Sequence, residues 1–130
     1  MAVRAILRLA TMRGILRFAP FDRVRRFIDS RPRGTTPPDP RAAALTVRRA
    51  MSRAERTLPG STCLARSLAA EWLLGEHGLG AKLSIGVATA TPGAALPLDA
   101  HAWVESEGLI IAGDGELARY AALVAFGLPV

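Results

Sequence analysis

The sequence predicts an α+β fold in which one helix packs on a small antiparallel sheet, with further helices at the N-terminus. Apolar residues recur at helical spacing up to about residue 77, and strict alternation of apolar and polar residues follows over 81–87. A Glu-Gly pair at 107–108 then separates two β-prone runs, which is typical of a hairpin. A chain of 130 residues is long enough for one domain with a modest core.

Charge is distributed unevenly along the chain. Residues 1–60 contain 14 arginines and four acids, a formal charge of +10, whereas residues 61–130 contain three basic and seven acidic residues, a charge of −4. This asymmetry predicts a basic N-terminal half that meets an acidic peptide, protein or membrane surface. Nucleic acid is the competing partner, but the N-terminal phenylalanines form no stacking pattern and no recognition motif appears. We therefore predict no nucleic-acid partner.

The first 40 residues are predicted to form a basic helical arm that ends in a proline-rich linker. One or two short helices are expected before residue 20, because Gly14 interrupts the pattern, and another is expected over 22–28. Residues 30–40 contain four prolines and a glycine, a composition typical of an exposed linker. Residues 41–130 would form the core, in one compact domain overall.

Arginines interrupt the apolar residues of the first 20 positions, so we predict neither a secretion signal nor a membrane insertion. The single cysteine excludes an internal disulfide and a metal site built from several cysteines. A reducing, cytoplasmic location fits this content. We predict no cofactor and no metal.

The predicted elements of the core follow from the spacing of apolar residues and from the residues that begin or end helices and strands. Ser61 or Thr62 can cap its second helix, and Gly78 and Gly80 can end it. In order, the elements are a helix over 41–58, a helix over 61–77, strands over 81–87, 100–105 and 109–112, and a short helix or covering segment over 116–128.

Cys63 falls within the first turn of the second core helix. Unpaired backbone N–H groups and the helix dipole favour an anion at that point, and a thiolate is such an anion. The simpler interpretation is that a lone cysteine is buried packing. A histidine and an acid at hairpin spacing further along the chain favour the reactive interpretation.

The hairpin turn predicts which residues face one another. If the turn consists of Glu107 and Gly108, Ser106 pairs with Leu109, and a regular register brings His101 opposite Asp114. Facing side chains on one sheet surface lie about 5 Å apart at Cβ.

These residues together suggest nucleophilic catalysis. An acid beside His101 could bond one imidazole nitrogen and leave the other to take the proton of the Cys63 thiol. Asp114 is the predicted acid, although its place between two glycines also suits a turn, and Asp99 or Glu105 could replace it.

Three further residues have structural interpretations. His77 is expected to act as a favourable cation at a helix C-terminus and is excluded from the site. Trp103 shares a strand face with His101, where it could line the site or fill the core. Arg66 could pin its helix electrostatically or contact an acid, and we assign it no catalytic role.

Two motifs in this order resemble a known family. The run STCLARSLA at 61–69 and the run AHAWVE at 100–105, with IGV at 85–87 and Gly108, are similar to the lasso-peptide biosynthesis leader peptidases of the transglutaminase-like superfamily. These form the C-terminal peptidase part of the B-type proteins. The resemblance covers about 41–120, and more loosely the arm around FAPF at 18–21.

The resemblance implies a papain-like or transglutaminase-like core with a Cys-His-Asp triad. Cys63 and His101 match the family motif directly, and Asp114 falls close to the expected acid. It further implies removal of the leader from a ribosomally made precursor peptide, a separate leader-recognition protein as partner, and an ATP-dependent cyclase that receives the product. Two alternatives remain open: acyl transfer to an amine through the same thiolate chemistry, and a non-enzymatic binding module with Cys63 buried.

Overall fold

The computed structural model describes residues 1–89, 98–113 and 121–127, and the side chains of 1–86 and 101–113. This part of the chain forms four helices followed by four strands, which confirms the predicted α+β class. The elements are α1 (Ala2–Phe18), α2 (Phe21–Asp29), α3 (Pro40–Thr57), α4 (Cys63–Glu76), β1 (Lys82–Thr89), β2 (Leu98–Ser106), β3 (Leu109–Gly113) and β4 (Ala121–Gly127).

The four strands form one antiparallel sheet in the order β3-β2-β1-β4. The β2–β3 connection is the predicted two-residue turn. Glu107 and Gly108 have φ values of 53° and 74°, as a hairpin turn with two left-handed residues requires, and Ser106 pairs with Leu109.

The register beyond that turn differs from the prediction. Glu105 pairs with Ile110, but Val104 pairs with Ala112, because Ile111 is an extra residue in a β-bulge. Ile111 and Ala112, next to one another in the bulged strand, are both buried. The regular register that would place His101 opposite Asp114 is therefore wrong in this hairpin, and Asp114 itself lies outside the described residues.

The C-terminal region also departs from the prediction. A short helix or covering segment was expected over 116–128, whereas Ala121–Gly127 forms β4 and pairs with β1. The continuous apolar run of this segment fits a buried helix as well as a strand. Pairing with the edge of β1 decides between them, and β1 becomes a central strand.

The helices lie on the sheet with α4 at their centre. α1 packs against α3 and α4, and α4 in turn packs on β2 and β3. α1 continues unbroken through Gly14 and contributes Ala5, Leu9 and Met12 to the same core as Leu68 of α4. Within the described part of the chain, no helix is both long and apolar enough to cross a membrane.

The proline-rich segment before α3 has no regular structure and is largely exposed, as predicted. It is nevertheless bonded to the C-terminal end of α4, because the Gly34 N–H donates to the Gly75 carbonyl at 2.9 Å. A Cβ at Gly78 would come within 2.1 Å of the Thr35 carbonyl oxygen, so only glycine permits this approach. The segment therefore closes over the end of the helix that carries Cys63.

Candidate active site

Cys63 is the first residue of α4, and the local sequence explains why the helix begins there. The Thr62 hydroxyl accepts a hydrogen bond from the Ala65 N–H at 3.1 Å and is the N-cap, one of the two residues predicted for that role. Ser61 instead donates its hydroxyl to the Leu58 carbonyl. The backbone N–H of Cys63 has no acceptor among the described residues, as expected for the first helical turn.

The Cys63 thiol reaches strand β2 at the residue that follows His101. The Ala102 N–H donates to Cys63 Sγ over 3.3 Å. Because two covalent bonds separate this nitrogen from the Cα of His101, Sγ lies within about 6 Å of that Cα. The last described pair between β2 and β3 joins Trp103 to Gly113, so the sulfur lies against β2 where that pairing ends. The structure thus brings the predicted nucleophile to the strand that bears the predicted base.

His101 is half-buried, and its strand neighbours alternate in a regular way. Ala102 and Val104 belong to the core beneath the helices, whereas His101 and Trp103 lie on the other face. Trp103 is 6% exposed, so this face is also covered at that position. The partner of His101 in β1 is Gly86, which has no side chain beside the imidazole. Sγ contacts the β2 backbone itself, between the two faces.

The strand geometry reduces the number of candidate acids that could orient His101. Glu105 pairs with Lys82 four residues from His101, about 13 Å along the strand, which is too far for a hydrogen bond between their side chains. Glu105 is therefore excluded as the acid. The side chains of Asp99 and Asp114 lie outside the described residues.

A buried ion pair holds α4 to α2. Arg25 donates to both carboxylate oxygens of Glu71, one of them over 2.7 Å, and also to Asp29 over 2.8 Å. Burial lowers the pKa of Arg25, but its hydrogen bonds to Glu71 and Asp29 outweigh this and raise it. Burial raises the pKa of Glu71, against the opposing hydrogen bond from Arg25. Loss of either partner would leave the other charge buried without compensation.

A second ion pair ties the C-terminal end of α4 to α1. Arg8 donates from two nitrogens to the two Glu76 oxygens, both over 2.8 Å, and its guanidinium stacks on Trp72 at 4.2 Å. The hydrogen bond from Arg8 lowers the pKa of Glu76. Two ion pairs from different helices therefore fix the orientation of α4.

Arg66 lies one turn after Cys63 and contacts an acid of α3. Its Nε is 3.9 Å from Glu55, and burial raises the pKa of this glutamate against the charge of Arg66. Two side-chain atoms here, Arg66 Nε and Ser67 Oγ, are buried without a hydrogen-bond partner among the described residues. The site therefore has a cation one helical turn from the thiol.

Two features of this site escaped the sequence analysis. The amide that bonds Cys63 is a backbone group, which no residue pattern identifies. The sequence does not distinguish Arg25 from the other arginines of the basic half. Glu71, a lone acid within an apolar stretch of α4, does indicate a buried ion pair. No group of three histidine, cysteine or acidic side chains that could hold a metal occurs among the described residues.

Comparison with known proteins supports this architecture. A family model described as the transglutaminase-like superfamily matches residues 5–125, which is nearly the whole chain. No curated protein and no solved structure matches the chain. The match includes α1 as well as the helix of Cys63 and the strand of His101. The chain belongs to the transglutaminase-like superfamily.

Proposed function

We propose that the chain is a cysteine peptidase of the cytoplasm that removes the leader from a ribosomally made precursor during lasso-peptide maturation. Cys63 is the nucleophile, His101 the general base and Asp114 the acid that orients the imidazole. The observation that carries the proposal is the bond from the Ala102 amide to Cys63 Sγ, which joins the start of α4 to the histidine strand in a member of the transglutaminase-like superfamily.

The reaction proceeds through a thioester. His101 takes the thiol proton, and the Cys63 thiolate attacks the carbonyl carbon at the junction between leader and core, forming a C–S bond. The imidazolium gives its proton to the leaving amine as the C–N bond breaks. Water then attacks the thioester with His101 as base, releasing the leader carboxylate and restoring the thiol.

The N-terminus of α4 can stabilise the two anions of this reaction, the thiolate and the oxyanion. The free N–H groups of the first turn of α4 lie beside the sulfur, where they stabilise a thiolate. The Cys63 N–H, which has no acceptor in the described part of the chain, is a candidate donor to the developing oxyanion. Arg66 adds positive charge one turn further along, although Glu55 partly offsets it.

The proposed partners are a separate leader-recognition protein and an ATP-dependent lasso cyclase. The support for docking is the row of exposed arginines on α3, which includes Arg48, Arg49 and Arg53. None of the three forms an ion pair among the described residues. If replacing all three with glutamate leaves complex formation and leader cleavage unchanged, this docking role is wrong.

The direct test incubates the chain with a lasso precursor peptide and its leader-recognition protein and identifies the products by mass spectrometry. We expect the wild type to release the leader and Cys63→Ala to leave the precursor intact. The chain offers a matched control for the base, since it contains only two histidines. His101→Ala should lower the rate at least 100-fold, whereas His77→Ala, whose imidazole bonds the Leu73 carbonyl, should cleave normally.

The product masses also separate the alternatives. Hydrolysis leaves a free carboxylate on the leader, whereas acyl transfer leaves the leader joined to an added amine. Equal cleavage by wild type and Cys63→Ala would refute the proposal. A Cys63 thiol that iodoacetamide modifies no faster in the folded chain than in urea, combined with uncut precursor, would favour a binding module.

A further inference from the structure

Helix α1 exposes a continuous row of apolar and small residues to solvent. Val3, Leu7 and Phe18 are 71%, 55% and 90% exposed, which is unusual for large apolar side chains in one element. Ala10 and Gly14 are also exposed and lie between them. We call these five residues the α1 seam. It lies on the opposite side of the helix from the buried residues Ala5, Leu9 and Met12.

The spacing of the seam matches helix-to-helix packing. Its residues follow one another at intervals of four, three, four and four, which is close to the 3.6-residue period of the helix and keeps them along one side of it. At 100° per residue they occupy a strip about 80° wide and about 22 Å long. A helix that lies on a membrane presents a wider apolar face. The narrow seam therefore favours a helix of a protein as its occupant.

The small residues of the seam support a close approach from outside. Glycine is disfavoured in the interior of a helix, and a Cβ at Gly14 would meet no described atom within 4 Å, so no packing among the described residues requires glycine there. Shallow depressions adjoin both ends of the seam. One of about 480 Å³ is lined by Val3 and Leu7, and one of about 350 Å³ by Gly14 and Phe18.

The charges beside the seam indicate the chemistry of the occupant. Arg4 and Arg13 flank it at the positions that face a partner's charged residues in helix pairs, and Arg17 lies near its end. α1 contains no acidic residue, and among the described ion pairs only Arg8 of this helix takes part. A second copy of α1 would therefore place arginine against arginine.

We infer that the α1 seam binds an amphipathic helix of another protein, one that sets apolar residues into the seam and acidic residues beside Arg4 and Arg13. This interaction goes beyond the proposed peptidase function, because neither Cys63 nor His101 belongs to α1. The Arg8–Glu76 pair links α1 to the helix of Cys63, so the docked partner would sit on an element attached to the site.

The test uses a designed 21-residue helical peptide with leucine along one side, at intervals of three and four residues, and glutamate on both flanks, and measures binding by fluorescence anisotropy. The seam variant Leu7→Gln/Phe18→Gln keeps the net charge and replaces two exposed side chains, so it should fold, as circular dichroism would verify. The matched control Arg23→Gln/Arg26→Gln lowers the charge by two on the exposed side of α2. We expect the seam variant to bind the peptide at least tenfold more weakly and the α2 variant to bind within threefold of the wild type.

Three results would overturn the inference. Weaker binding by the charge-lowering control, together with unchanged binding by the seam variant, would mean that the peptide is held by charge alone. Binding of the wild type to anionic phospholipid vesicles, lost in the seam variant and without peptide binding, would identify a membrane face instead. A concentration-dependent dimer in sedimentation that disappears in the seam variant would identify a second copy as the occupant. Leader cleavage by the seam variant without a partner helix remains a separate measurement, which tests only the peptidase proposal.

Discussion

Replacing Arg25 with methionine isolates the energetic role of the buried ion pair between α2 and α4. The substitution keeps much of the apolar stem but removes the cation from Glu71. Arg25 is 8% exposed and Glu71 is 6% exposed, so the carboxylate would remain in the core without its partner. Asp29, which also bonds Arg25, is a carboxylate whose charge raises the pKa of Glu71, so it cannot replace the lost cation.

The expected loss of stability follows from this burial. Removing one member of a buried pair costs about 3–5 kcal/mol, because the desolvated charge that remains is uncompensated. A domain of this size has a total stability of about 5–15 kcal/mol, so the variant should be strongly destabilised. With a urea dependence of about 2 kcal/mol/M, the midpoint should fall by about 2 M. Tryptophan fluorescence reports the transition, since Trp72 adjoins Glu71 in α4.

The pH dependence of the variant provides a second readout. Burial already raises the pKa of Glu71 in the wild type, and loss of the Arg25 hydrogen bond removes the main group that opposes it. With a folded-state pKa above the unfolded one, the folded state binds the proton first as the pH falls. The stability of Arg25→Met should therefore increase as the pH falls from neutral, and level off below the ordinary glutamate value.

Two companion variants make the reasoning refutable. Arg25→Met/Glu71→Leu removes both charges and should recover most of the lost stability. Asp29→Asn removes an exposed carboxylate from the same arginine and should cost less than about 0.5 kcal/mol. If the double variant is as unstable as Arg25→Met, or if Asp29→Asn is equally damaging, the loss does not come from an uncompensated buried charge.

Three further predictions concern single positions. Gly78→Ala should destabilise the fold by about 2–4 kcal/mol in urea unfolding, because the φ of Gly78 is 72° and a Cβ there would meet a backbone carbonyl. Gly14→Ala, the control, should stabilise the fold by about 1 kcal/mol, and equal effects of the two variants would contradict the reasoning. Thr62→Ala removes the N-cap of α4 and should lower stability by about 1 kcal/mol, with an unchanged melting temperature as the opposing result. Arg8 lowers the pKa of the Glu76 carboxylate, which therefore stabilises the fold above its unfolded-state pKa, and this contribution is lost as the pH falls through the lowered value. Glu76→Gln should reduce the loss of stability on acidification by about 1 kcal/mol in unfolding measured across pH. An unchanged dependence of stability on acid pH would refute this.

Local signals account for the parts of this fold that the sequence predicted well. The threonine that caps α4 and the Glu-Gly turn of the hairpin each act within a few residues. The place of Cys63 in the first turn of α4 follows from a cap at Ser61 or Thr62, and the structure assigns the cap to Thr62. These features could be read without knowledge of any distant partner.

Other features depend on contacts between distant segments. The bulge at Ile111 shifts the register of β2 and β3 by one residue, and nothing in the run LIIAG marks where the extra residue will fall. β4 is a strand because β1 offers an open edge, not because its own residues alternate. Gly14 suggested a break in α1, yet packing of that helix against α3 and α4 keeps it continuous.

The sequence by itself determined the class of fold, the helix start that carries Cys63 and the strand that carries His101, because propensity, capping and turn chemistry act locally. Only the tertiary structure decided that the thiol meets the amide after His101, that Arg25 is buried against Glu71, and which face of α1 stays exposed. Each of these contacts joins residues about 40 or more positions apart, or depends on which faces the other helices cover. Their geometry follows from packing of the whole chain, which no local pattern encodes.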